Sequence, residues 1–96
     1  MARPGITNDP FIFFPGPAPS GCVVSAIGSV RSTNDGSVIL GDRASNRPLA
    51  ILDPSDFPGE HKDNPDLIIR DISRAVAQHN IGRKVDLPSW ALIALD

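Results

Sequence analysis

Cysteine, histidine and lysine are scarce in this 96-residue chain, and each shortage closes off a class of function. Cys22 stands alone, so no disulfide can form within the chain, and a lone cysteine favours an intracellular or viral setting over a secreted one. Only His61 and His79 are present, too few for a four-ligand zinc site in the near-absence of cysteine. Two lysines stand against seven arginines, and arginine suits planar, partly desolvated contacts. No apolar run reaches the ~18 residues of a membrane span. The N-terminal Met1-Ala2-Arg3-Pro4-Gly5 lacks the apolar stretch of a secretory signal. A net charge of −2 supplies no overall attraction to nucleic acid or anionic membranes. The glycines make neither a dinucleotide fingerprint nor a phosphate loop, and no serine sits in a Gly-x-Ser-x-Gly elbow. Neither a metal nor a cofactor is expected.

What the chain does have is concentrated early. Residues 9–21 read DPFIFFPGPAPSG, placing three of five aromatic residues within four positions. Proline fixes φ and removes backbone donors, so Pro15 to Pro19 can neither pair as an interior strand nor coil as a helix. Burying one phenylalanine contributes roughly 1.5–3 kcal/mol, so FIFF must lie on something. Two arrangements satisfy it. In the first, residues 1–20 form an extended arm whose Phe11, Ile12, Phe13 and Phe14 dock on a neighbouring subunit, with Trp90 also at the interface. In the second, FIFF is an edge strand on the chain's own sheet, followed by a proline turn.

Residues 21–96 read as a single small α+β domain. Gly21 to Val30 is β-branched with apolar residues on both parities, which predicts a strand covered on both faces or bent near Gly28. Thr33-Asn34-Asp35-Gly36 is a hairpin turn leading to Ser37-Val38-Ile39-Leu40. Pro48 to Leu52 is the next strand, with proline at its tolerated first position. A helix is predicted at about 65–79, with Asn64 as N-cap, Pro65 at N1, and Leu67, Ile68, Ile69, Ile72, Ala75, Val76 and His79 on the apolar stripe. Asn80 or Gly82 takes its left-handed stop. Arg83 to Leu87 and Trp90 to Leu95 are read as closing strands. The fold class is therefore α+β: a small curled antiparallel sheet or barrel of four to six strands, one helix, and an extended proline-rich N-terminal arm.

Few side chains point to chemistry. Glu60-His61-Lys62-Asp63-Asn64-Pro65-Asp66 combines carboxylates and an imidazole, but its spacing matches no metal loop and suits a solvated turn before a capped helix. His79 suits a contact with the last helical carbonyls, and Cys22, opening an apolar strand, a buried inert thiol. Arg70 and Arg74 share a helix face at i, i+4 spacing, and with Arg83 and Lys84 could grip an anion. Arg43 and Arg47 lie in a polar loop of the kind that carries contacts.

These features lead to a non-enzymatic assembly or binding protein, a homo-oligomer or part of a larger protein assembly. Phage or plasmid accessory proteins have this character, as virion decoration or connector components or as small inhibitors of a host system, and would be cytoplasmic or virion-associated. The alternative is a regulator that binds nucleic acid or nucleotide through the basic residues on and after the helix. An enzyme using His61, Asp63 or His79 is a third possibility.

Overall fold

The computed structural model describes residues 9–17 and 20–93. Their order is β1 (Phe11–Phe14), β2 (Ser20–Val23), β3 (Ile27–Ser32), β4 (Val38–Asp42), β5 (Pro48–Leu52), α1 (Pro65–Asn80) and α2 (Ser89–Ile93), with short 3₁₀ turns at Val24–Ala26, Pro54–Asp56 and Gly59–His61. The fold is α+β: β1 and β2 form a two-stranded antiparallel sheet, and β3, β4 and β5 a three-stranded one in that order. Among the described residues no helix is long and apolar enough to cross a membrane.

The FIFF segment is β1, so the second of the two arrangements is the one observed. Phe11 pairs with Val23, Ile12 with Cys22, Phe13 with Gly21 and Phe14 with Ser20. Side chains alternate across a pleated strand, and this alternation divides the four residues. Ile12 and Phe14 enter the chain's own core beside Cys22, while Phe11 stays exposed and Phe13 half-buried on the other face. The expectation that all four dock on one surface is thereby corrected. The rest of the segment read as an arm, residues 1–8 and 18–19, lies outside the described residues.

The apolar run from Gly21 to Val30 is one stretch of sequence but two strands. The turn at Val24–Ala26 breaks it, sending β2 to one sheet and β3 to the other. Its apolar residues fall on both parities because each piece faces the shared core with a different phase. The break is held from outside. The amide of Val24 donates to the carbonyl of Pro10 at 3.0 Å. The amide and hydroxyl of Ser25 donate to the two carboxylate oxygens of Asp9 at 2.7 and 2.6 Å. The expected bend near Gly28 appears as a register shift between Ile27 and Ser29. A Cβ on Gly28 would lie 2.6 Å from the Cα of Arg43, so the loop after β4 packs where only glycine leaves room.

The Thr33–Gly36 turn forms as predicted. Thr33 N–H donates to the Ser37 carbonyl at 2.8 Å, and Asp35 accepts from the Thr33 hydroxyl and the Ser37 amide. Helix α1 begins at Pro65 and buries Ile68, Ile72 and Ala75. Asn64 holds the N-cap position through its carbonyl, which accepts from Ile68 N–H, while its side chain makes no cap bond. Gly82, at φ +76°, stops the helix, and the amides of Gly82 and Arg83 fold back to the carbonyls of His79 and Gln78.

The C-terminal part departs from both predicted strands. Residues 83–88 have no regular structure, because Gln78 takes the place of a neighbouring strand. Its side chain accepts from the amide of Asp86 at 2.9 Å and donates to the Asp86 carboxylate at 3.3 Å. Trp90 to Ile93 belong to the short helix α2, which opens at Ser89, instead of a strand, and the remainder of that predicted strand lies outside the described residues. Ala91 N–H reaches back to the Pro88 carbonyl, and the consecutive Trp90 and Ala91 both enter the core, which strand alternation forbids. Short apolar runs carry no period that separates the two conformations.

The core joins all these pieces: Ile12, Phe14 and Cys22 from the hairpin, Val24 and Ile27, Val38 and Leu40, Leu52, Phe57, the three helix residues, then Val85, Trp90 and Ala91. Ile12→Ala should destabilise the fold by about 2–5 kcal/mol, whereas Ile51→Ala, at an exposed position, should stay within about 0.5 kcal/mol; urea unfolding measures both.

Asp9 offers a second test. Burial opposes its ionisation and is the largest single influence, but the hydrogen bonds from Ser25, with the charges of His79 and Arg43, outweigh it and hold the carboxyl below its ordinary 3.8. A pKa depressed in the folded state adds stability that is complete above the unfolded value and vanishes as pH falls through the folded one. Asp9→Asn should therefore lower stability near neutral pH and reduce the loss seen below about pH 4, read from unfolding midpoints across that range.

Candidate functional site

Two clefts gather the polar residues that the sequence singles out. The first lies where α1 meets the segment leading into α2. It has a volume of about 240 Å³ and is lined by Glu60, His61, Arg70, Asp71, Arg74 and Asp86, with Leu87, Pro88 and Ser89 closing one side. The helix brings Arg70 and Arg74 to it on one face, as their spacing predicts. His61 arrives from the 3₁₀ turn before α1, and Asp86 is held by Gln78.

Asp71 is the centre of this cleft. One of its carboxylate oxygens accepts from Nε2 of His61 at 2.7 Å and from Nε1 of Trp90 at 3.2 Å. The His61 and Asp71 side chains are only 13% and 11% exposed, and Nε of Arg70 stands 4.0 Å from the other oxygen. One carboxylate thus ties three segments together: the turn before α1, α1 itself and α2. The sequence offers Asp71 only as one of two helix aspartates, with Asp66, that neutralise part of the arginine patch, and not as the centre of a cleft. The only available signal was its position one residue before Ile72 on the helix flank, beside the apolar stripe.

The chemistry of the cleft follows from its charges. Two guanidinium groups share it with three carboxylates and an imidazole, so it presents no field of one sign. That arrangement does not suit a polyanion, which needs several unopposed cations. Arg83 and Lys84 are exposed on the segment after α1 and are not among the lining residues. Of the four basic residues, only Arg70 and Arg74 line this cleft.

The remaining candidates disperse. Trp90, expected at an interface, is 1% exposed. Its ring meets Phe57 edge-on at 4.9 Å and lies 6.2 Å from Phe14. Its amphipathic character is satisfied inside the chain, which corrects the surface reading. Arg43 donates to the Asn80 side chain at 2.8 Å and to the Ile27 carbonyl at 3.3 Å, fastening its loop to the end of α1. Arg47 lines the second cleft, of about 280 Å³, on the outer face of the three-stranded sheet, with Ser29, Arg31, Ile39, Gly41, Asn46 and Pro48. Cys22 is buried, and burial first, then the Asp9 charge, pushes its thiol up to about 11, so it is neutral at physiological pH. Among the described residues no group of three or more His, Cys, Asp or Glu converges as a metal site would require. Comparison of the chain with protein-family models, with curated proteins and with solved structures found no match.

The Asp71 junction has a measurable energy. Asp71→Ala leaves the buried indole N–H of Trp90 without its acceptor and should cost about 1–3 kcal/mol. Trp90→Phe removes the donor as well, so a double-mutant cycle should return a coupling of about 0.5–3 kcal/mol in urea unfolding.

Proposed function

We propose that this protein works by binding rather than by reaction, and that its partner through the hairpin is a second copy of itself. One observation carries the reading: the outer face of β1 and β2 holds no polar side chain opposite Phe11 and Phe13. Phe11 is 44% exposed and its register partner Val23 37%, and Phe13 pairs with Gly21. The rings of Phe11 and Phe13 meet with centroids 4.7 Å apart. An antiparallel sheet with one face in water normally alternates apolar and polar residues. This one is apolar on its inner face through Ile12, Phe14 and Cys22, and again on its outer face.

A second copy suits the patch for a geometric reason. Among the described residues the sheet has two strands, so β1 and β2 each leave an edge unpaired within it. A two-fold axis beside the hairpin would set Phe11 and Phe13 against their own counterparts, as isologous contacts require. Covering the patch removes apolar area from water at roughly 25 cal/mol per Å². In such an assembly the aromatic strand has two roles, with Ile12 and Phe14 serving the protomer and Phe11 and Phe13 the contact. A virion component and a small inhibitor of a host system both belong to this class of protein.

Deleting the N-terminal segment cannot test the idea, because Ile12 and Phe14 would leave the core with it. Light scattering on the intact chain should give a mass of at least two protomers. The Phe11→Ser, Phe13→Ser double variant should run as a protomer with its helical circular dichroism unchanged. A single-protomer mass for the unaltered chain at the highest soluble concentration would sink the proposal.

A further inference from the structure

The cleft that holds Arg47 has a character the sequence did not disclose. The register of β3, β4 and β5 sets Arg31, Ile39 and Ile51 in one row across the sheet, and Ser29, Gly41 and Pro48 beside one another in a neighbouring row. Arg47 comes from the loop before β5, sixteen positions beyond Arg31, and reaches the same cleft. Both arginines are exposed, and neither guanidinium forms an ion pair or hydrogen bond among the described residues. No carboxylate is among the cleft's lining residues. This sets it apart from the Asp71 cleft, where acidic groups outnumber the arginines.

The floor is small and hydroxylated. Gly41 contributes no side chain, and any Cβ there would collide with the hydroxyl of Ser29, which leans across it. The rim is apolar on one side, where Ile39 is half-buried and Ile51 is 68% exposed. Two arginines without an acidic neighbour in the lining, in one cleft with a serine hydroxyl, match a carboxylate or phosphate, which accepts several hydrogen bonds at once. The apolar rim decides between sources. A nucleic acid strand would call for stacking aromatics and a longer series of cations, and neither lines this cleft. An acidic peptide carrying an apolar residue meets both halves of the surface.

We infer that the Arg31–Arg47 cleft on the outer face of the three-stranded sheet binds an acidic, apolar-bearing segment of a partner protein. One carboxylate sits between the two guanidinium groups over Ser29, and an adjacent apolar side chain rests on Ile39 and Ile51. The contact uses a different sheet from the hairpin patch and stands independently of it.

The test is a titration of the isotope-labelled full chain, followed by amide chemical shifts. The probes are a hexaglutamate peptide with one central valine, the same peptide with glutamine in place of glutamate, inorganic phosphate, and single-stranded oligothymidylate. The acidic peptide should shift Ser29, Arg31, Gly41, Asn46 and Arg47, and its binding should weaken as salt is raised. Arg31→Gln and Arg47→Gln should each weaken it about tenfold or more, as expected for loss of a charge-assisted contact. Both positions are exposed and unpaired, so the melting temperature should not change. Four results overturn the inference: no shift at these residues, shifts centred on Arg70 and Arg74, equal binding of the glutamine peptide, or phosphate or oligothymidylate binding here more tightly than the acidic peptide.

Discussion

The burial of Trp90 is the constraint on which the rest of the molecule depends. Its ring stands between Phe57 and Phe14, and its indole N–H is answered by Asp71 on α1. It therefore touches the hairpin, the turn region before α1, and α1 itself, while belonging to a fourth element, α2. A large aromatic with one polar atom can be buried this deeply only if that atom finds an acceptor. Asp71 is that acceptor, and it is in turn oriented by His61. The carboxylate thereby closes the C-terminal segment onto a core that the two small sheets could not complete alone.

The same constraint explains why the aromatic strand has two characters. Phe14 must face inward to meet Trp90, so Ile12 does too, and Cys22 follows from its pairing with Ile12. Phe11 and Phe13 are then directed outward whatever their hydrophobicity. An isolated two-stranded sheet is marginal in water. Here its inner face is anchored by the core and its outer face carries the apolar surface to which the proposed self-association is assigned. The three-stranded sheet divides in the same way. Val38, Leu40 and Leu52 are buried beneath α1 and its neighbours, while Arg31, Ile39 and Ile51 share a row on the other side.

Where local chemistry dominates, the residues announced their structure. Asn34-Asp35-Gly36 makes a tight turn almost regardless of surroundings, and Pro48 opens β5 at its first residue. Pro65 and Gly82 bracket α1 within a residue of the range read from its periodicity. The failures share a cause. Trp90-Ala91 is apolar without a period, so only contact with Phe14 and Phe57 separates helix from strand. Arg83 to Leu87 alternates well enough for a strand, but the side chain of Gln78 takes the Asp86 amide and carboxylate in place of a partner strand. The grouping of polar residues was harder still. Arg70 and Arg74 were joined correctly because helical spacing is local, whereas Arg83 and Lys84, beyond the turn at Gly82, are not among that cleft's lining residues.

Composition and short-range pattern were thus enough to establish a small α+β chain without a disulfide framework, its principal helix, its central hairpin turn, and an aromatic segment that must be covered. They work through forces acting over a few residues: proline geometry, glycine freedom, helical spacing and pleat alternation. Long-range packing made the other decisions. It set which half of FIFF enters the core, drew Asp71 to His61 and Trp90 from ten and nineteen positions away, and placed Arg31 and Arg47 in one cleft on the sheet. Those pairings depend on register and burial, which arise only when distant segments compete for the same interior volume.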